Sequence, residues 1–421
     1  MTLERVKGIE PSYEAWEAAV LPLNYTRSAE NSNRSGGAGP GQNWCPRQLP
    51  DFPLMRPPPL AVSHIPGLDG VRALAVMAVV WHHSHPGVAW LPASANGFLG
   101  VDLFFVLSGL LITTLLLHEQ ATHGQISLTN FYARRALRIF PLYYALLGLL
   151  ALYFVWAPAS PQRGAFLAAL PFHASYLSNW IQPDSLMAIT WSLSTEEQFY
   201  LVWPPLLVLV GIRALPGLLA FLLLNQAVNF GWLDGWLSSN GIPYESLDIL
   251  QATFTPIVLG VLLAFALQND RAHAWLRRVL TPRSLWVLVL AALVLVNWPG
   301  SLRGAPRLGL HLVFTLLLGG LVMNPGHVLV RGLQWRPLAY VGTVSYGIYL
   351  LHKPALDLAH RLLHKLGVHS PIGLFALGLL LSVAVAAISY RYFESPLLRL
   401  KSAFRAPRPK AVGAVFAESQ T

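Results

Sequence analysis

The sequence predicts an all-α, polytopic membrane helix bundle, and three observations predict it. Of 421 residues, 54% are hydrophobic and only 11% charged, with a mean hydropathy of +0.49, a balance outside the range of ordinary soluble domains. Apolar runs recur through most of the chain at lengths close to the ~20 residues that cross a bilayer as a helix. The basic residues gather in short clusters between those runs rather than along one polar face. The net charge of +10 therefore reads as orientation in a lipid bilayer, and no nucleic-acid partner is expected.

Taken in order, residues 1–60 form a polar tail rich in Pro, Gly, Ser and Asn with no sustained apolar period, and are expected to be disordered. No positively charged start followed by an apolar run opens the chain, so a cleaved signal peptide is not expected. The single cysteine, Cys45, falls in this tail, which excludes a disulfide framework, a thiolate metal cluster and a cysteine nucleophile. Residues 61–400 form the membrane domain. Candidate spans are 71–90, 98–117, 138–157, 164–181, 190–210, 214–229, 249–268, 284–298, 307–323, 338–358 and 371–391. Segment 164–181 is short, broken by Pro171 and followed by a polar loop, so it is expected to be re-entrant or partial. About ten crossings remain, with both termini cytoplasmic. Sixteen basic residues then fall inside, from Arg134, Arg135 and Arg138 to Lys410, against six outside: Arg163, Arg303, Arg307, Lys353, Arg361 and Lys365. Residues 401–421 form a basic cytoplasmic tail.

The polar residues inside these runs carry the functional reading. In LDGVRALAVMAVVWHH, Arg72 and His83 are eleven residues apart, within about 20° of three full turns, so they share a helix face about 16 Å apart along the axis. Asp69 lies close to that face. The plain alternative is an arginine snorkelling to the interface and a histidine making one interhelical bond. Topology weakens it. It brings Asp102 of GFLGVDLFFVLSGLLI, Glu196 and Glu197 of ITWSLSTEEQFYLVWP, and His352 of VGTVSYGIYLLHKP to the level of His83. Buried intramembrane charge is costly and is retained where it functions. His83 is the group suited to take a proton from a hydroxyl near neutral pH, and Asp102 or a glutamate is expected to hold its tautomer. His82 points about 100° away. His82 and His85 do not form a recognisable zinc pattern, so no metal is expected. Ser108 reads as a small residue for close helix approach rather than a nucleophile, and Trp191, Phe199 and Tyr200 as packing or interfacial residues. Arg134, Arg135 and Arg138 offer planar donors suited to phosphate, with positive-inside orientation as the alternative.

Together, LDGVRALAVMAVVWHH, GFLGVDLFFVLSGLLI, FYARRALRIFPLYY, ITWSLSTEEQFYLVWP, SYGIYLLH and YRYFESPLLR resemble acyltransferase family 3, the integral membrane O-acyltransferases of bacterial cell-envelope glycans, in family order from Ile65 to about Leu400. The resemblance implies transfer of an acyl group, acetyl by preference, from cytoplasmic acyl-CoA to a hydroxyl of an extracytoplasmic or lipid-linked carbohydrate, at the bacterial inner membrane. It implies His83 as the base with Arg72 as its partner. Asp102, Glu196 and Glu197 then support the acceptor side, Trp191, Ser192, Tyr346 and His352 are further acceptor-side candidates, and Arg134, Arg135 and Arg138 hold the donor's phosphates. The chain departs from the pattern at ATFTPIVLG, where Thr253 and Thr255 stand in place of the Arg and Asp of many relatives. No apolar-to-polar switch follows the last span, so a fused esterase-like domain is not expected and transfer is expected in a single step. A polytopic transporter or binding protein with a polar cavity is the alternative, and homo-oligomerisation is left open.

Overall fold

A computed structural model describes residues 65–84, 96–157, 160–181, 187–241, 254–299 and 302–404, and every regular element among them is helical. The whole of the tail assigned to 1–60, with Cys45, and His85, Thr253 and residues 405–421 lie outside the described residues. The helices are α1 (Leu68–His83), α2 (Leu99–His123), α3 (Leu128–Trp156), α4 (Arg163–Ala174), α5 (Trp191–Val210), α6 (Leu215–Asn229), α7 (Asp234–Ser239) and α8 (Thr255–Gln268). They continue as α9 (Asp270–Val279), α10 (Pro282–Val296), α11 (Ala305–Met323), α12 (Val328–Leu333), α13 (Arg336–Thr343), α14 (Ser345–Lys365), α15 (Pro371–Ser389) and α16 (Ser395–Arg399).

Local chemistry sets many of these boundaries. The Ser127, Thr281 and Ser370 hydroxyls cap α3, α10 and α15 by accepting from Asn130 N, Ser284 N and Gly373 N, which satisfies otherwise orphaned donors. Gly124, at φ +73°, ends α2 in the left-handed conformation that glycine adopts without steric cost. A wide turn over Tyr390–Glu394 and a tight turn over Leu400–Phe404 carry the chain from α15 back against α3.

By length and hydropathy, five helical runs among the described residues are fit to cross a bilayer: Leu99–His123, Leu128–Trp156, Ala188–Asn229, Ala305–Met323 and Pro371–Arg399. Counting α9 and α10, bent by 75°, as one broken span makes six. The expected count of about ten is not reproduced, for three physical reasons. Segments 190–210 and 214–229 join through a tight turn at Gly211–Ala214 into one helical run. Helices α1 and α8, at 16 and 14 residues, are about 24 and 21 Å long against a hydrocarbon thickness of about 30 Å. The C-terminal half of α14 carries Lys353, Asp357, Arg361 and Lys365. Segment 164–181 forms only the twelve-residue α4 and short turns.

Small residues let α1, α2 and α8 approach closely. A Cβ added to Gly109 on α2 would lie 2.1 Å from Ile257 O, and one on Gly260 of α8 2.2 Å from Val106 O; backbone meets backbone there. The packing expected of the LSGLL stretch is thus carried by Gly109. Gly109→Leu is expected to force α2 and α8 apart and cost about 1–3 kcal/mol or more, read as a lower unfolding temperature of the purified protein. Gly148→Ala, where an added Cβ meets nothing within 4 Å, is the control expected to be neutral.

Candidate functional site

The polar residues of the bundle fall into three groups rather than one layer. The first lines a cavity of about 130 Å³ enclosed by α1, α2, α3, α5 and α14. Arg72 enters it from α1, Ser108 from α2, Arg135 and Arg138 from α3, Glu196 and Tyr200 from α5, and Tyr346 and Tyr349 from α14. Phe104, Phe105, Leu111, Ile112 and Leu115 supply its apolar wall. Arg72 donates to Asp69 at 3.0 Å, which fixes its guanidinium one turn into the helix. Ser108 donates to the Glu196 carboxylate and accepts from Tyr200 Oη at 3.0 Å. The Arg135 guanidinium stacks 3.6 Å over the Tyr200 ring, a cation–π contact that orients it toward the cavity.

The second group lies beyond the Tyr349 end of that cavity. Tyr349 Oη donates to Ile189 O at 2.7 Å and is 2.5 Å from Ser192 Oγ. One turn on, His352 Nδ1 donates to Tyr349 O at 2.6 Å, which turns its Nε2 toward His83 Nδ1 at 3.3 Å. His83 Nδ1 is also 3.0 Å from Val79 O. Two acceptors facing Nδ1 place the proton there and leave the lone pair of His83 on Nε2. The rings of His83 and His352 are 4.8 Å apart, and those of His82 and His83 5.2 Å.

The third group is unconnected with His83. Asp102 is 1% exposed and lies between Arg307, whose Nη2 donates to Oδ1 at 3.0 Å, and His311, whose Nε2 is 3.0 Å from Oδ2. Asp102 is therefore not the carboxylate that orients His83; a histidine, His352, and a helix carbonyl do so. The reason is register. Gly97, just ahead of α2, and Gly100 in its first turn seat against Ala78 and Ala75 of the antiparallel α1, so Asp102 falls about two turns from His83 along α1 and points at α11. Glu196 likewise lies at the level of Arg72 rather than His83. Glu197 is within electrostatic reach of Arg135 and of Tyr143, Tyr144 and Tyr176 and does not line the cavity.

The arginine cluster also divides. Arg135 and Arg138 line the cavity, whereas Arg134, 3% exposed, faces Glu119 at 3.4 Å and donates to Phe404 O at 2.7 Å. Of the acceptor-side candidates, Ser192 and Tyr346 line the cavity and His352 meets His83. Trp191 packs edge-on against Phe105 with centroids 6.0 Å apart, and Tyr346 Oη is spent on Ile139 O at 2.7 Å. Thr255 accepts from Gln226 at 2.9 Å, within a neutral network that continues to Asn229. Sequence reasoning missed Ser108 as a cavity residue, Tyr349, Arg307, His311 and Lys401. Arg307 and His311 were legible as an i, i+4 ionisable pair inside an apolar run, whereas the direction of Ser108 was not. Among the described residues, no three His, Cys, Asp or Glu side chains converge in a way that would hold a metal ion.

A helical bundle with spans long enough for a bilayer, a basic internal cavity and two paired histidines beyond it defines a membrane protein with a polar reaction-sized interior. The chain belongs to the acyltransferase 3 family, whose acyltransferase-domain model matches residues 65–391. It is 31% identical over 367 residues to the peptidoglycan O-acetyltransferase OatA of Listeria monocytogenes, covering 80% of this chain and 56% of that protein. It is 30% identical over 361 residues to the putative peptidoglycan O-acetyltransferase YrhL of Bacillus subtilis, covering 79% and 55%. It is 29% identical over 363 residues to a putative O-acetyltransferase, SACOL0978, of Staphylococcus aureus, covering 80% and 57%. The chain thus spans a little over half the length of these relatives. No solved structure matches it.

Proposed function

We propose that the protein transfers an acetyl group from cytoplasmic acetyl-CoA to a hydroxyl of an extracytoplasmic or lipid-linked cell-envelope glycan, as a multi-pass protein of the bacterial inner membrane. On this reading both termini are cytoplasmic, and the short helices α1, α8 and α14, with α5 and α6 counted as two crossings, complete about ten. The observation that carries it is the succession of Arg72, Arg135 and Arg138 around a cavity, then Ser192 and Tyr349 at its end, then His352 and His83.

The arginines suit the donor's phosphates through charge-assisted bonds, and the apolar wall suits the flexible arm that ends in the thioester. About 16 Å of helix α1 separates Arg72 from His83. Arg72 therefore belongs to the donor end, not to the oxyanion. His83 Nε2 takes the proton of the acceptor hydroxyl as its oxygen attacks the thioester carbonyl. The new C–O bond forms, the C–S bond breaks, and the imidazolium returns the proton to the departing thiolate. No covalent enzyme intermediate is required, because holding both substrates beside the base makes the encounter effectively intramolecular.

Purified protein given labelled acetyl-CoA is expected to release CoA slowly and to label an added glycan acceptor. Absence of both would favour the transporter reading. Arg135→Ala is expected to raise the KM for acetyl-CoA about tenfold, the worth of one charge-assisted contact, with a smaller change in kcat. An unchanged KM would assign the arginine to orientation alone.

A further inference from the structure

The basic cluster on α3 has a fourth member that comes from the far end of the chain. The turn Leu400–Phe404 folds back on α3, held there by Arg134 Nη1 donating to Phe404 O. This places Lys401, 8% exposed, within electrostatic reach of Arg134, Arg135 and Arg138. Lys401 Nζ is buried and makes no hydrogen bond, and neither does Arg135 Nε.

Glu196 and Glu197 lie within electrostatic reach of Arg135, and two further carboxylates flank the cluster, both engaged. Glu119 accepts from Arg134 and from Ser127 N, and Glu394, which faces Arg138, accepts from Ser389 Oγ at 3.0 Å. None of these carboxylates bonds the Lys401 ammonium. A buried ammonium with no partner costs several kcal/mol of solvation. Its retention beside three guanidinium groups points to an anion that arrives from outside the chain.

We propose that Lys401 completes a phosphate-binding site with Arg135 and Arg138 at the cytoplasmic mouth of the cavity, taking a phosphate of the nucleotide end of the acyl-CoA donor. This rests on the donor assignment above. Planar guanidinium donors and a mobile ammonium together match the oxygens of a phosphate, the first by geometry and the second as a point charge. Burial and the three arginines push the Lys401 ammonium well below its ordinary value, so a bound dianion is also what restores its charge. The turn that carries Lys401 closes over the donor's phosphates, and the C-terminal segment becomes part of the donor site. An anionic phospholipid headgroup carries the same chemistry and is the other source of phosphate.

The test uses the full-length protein in nanodiscs of phosphatidylcholine with and without phosphatidylglycerol. Lys401→Met is expected to raise the KM for acetyl-CoA about tenfold. It should leave the KM for acetyl-pantetheine, which lacks every phosphate, unchanged, and Lys401→Arg should keep the wild-type values. Because it exchanges a buried amine that makes no hydrogen bond for an apolar side chain, Lys401→Met should also raise the unfolding temperature of the ligand-free protein, which separates a binding role from a folding defect. If acetyl-CoA kinetics are unchanged but native mass spectrometry shows loss of bound phosphatidylglycerol, the phosphate site stands and its occupant is lipid. If neither changes, Lys401 is a neutral buried amine and the proposal fails. Should the wild-type protein not saturate with acetyl-CoA at all, the donor assignment falls, and the lipid measurement alone decides the site.

Discussion

Replacing His83 with alanine is expected to lower acetyl transfer by about 10²–10⁴-fold, the ordinary worth of a positioned general base, while the unfolding temperature stays close to wild type. The expectation follows from the bonding of the ring. With Nδ1 facing Val79 O and His352 Nε2, the nitrogen able to accept a proton is Nε2. His352 is tied to the Tyr349 carbonyl by Nδ1 and to His83 by Nε2. On the proposed mechanism it fixes the tautomer rather than serving as a second base. His352→Gln, able to accept from His83 through its side-chain oxygen, should therefore retain much more activity than His352→Ala. Equal loss in both would mean that the second imidazole itself moves the proton. Activity of His83→Ala within tenfold of wild type, measured as glycan acetylation, would remove the base from the mechanism.

Much of this arrangement was legible in the sequence. Hydropathy and the distribution of basic residues predicted an all-helical membrane protein, and the polar spacing in α1 singled out Arg72 and His83. The parallel sense assigned to α1 and α14 brought His83 and His352 to one level, and their rings meet there. What hydropathy could not provide was depth to within a turn of helix. Asp102, Glu196 and His83 all read as one layer because each lies a few residues from a predicted membrane boundary, and boundaries inferred from apolar runs are uncertain by more than one turn. Seating of Gly97 and Gly100 against α1 decides the true register, and a glycine's partner helix is not written in its own segment. Directions around a helix were equally hidden. Arg134 and Arg135 are adjacent, yet one is committed to Glu119 and Phe404 and the other lines the cavity. Only the packing of a segment some 270 residues away distinguishes them. Length and hydropathy of the helices alone do not reach the expected count of crossings for a related reason: helices shielded by neighbours can be shorter and more charged than a lone span facing lipid.

Asp102→Leu is expected to destabilise the protein by about 3–5 kcal/mol, the cost of breaking a buried ion pair from one side. The carboxylate is 1% exposed, and its removal leaves Arg307, 9% exposed, without its anion among apolar neighbours. Pairing the change with Arg307→Met should recover most of the loss, since a buried pair exchanged whole for apolar side chains of similar volume is often neutral or stabilising. His311, whose Nδ1 is buried without a hydrogen-bond partner, remains in the double variant as a neutral ring, so recovery should be large but incomplete. The same pair of variants also tests where the chemistry lies. If Asp102 served His83, the double variant would be stable and inactive. In the arrangement found here, with His352 and Val79 O at the His83 ring and Asp102 turned to α11, it should be stable and active. Thermal unfolding together with acetyl transfer on the same preparations reads both quantities. A stable double variant with transfer reduced more than a hundredfold would return Asp102 to the proton path and overturn the separation of the two polar groups.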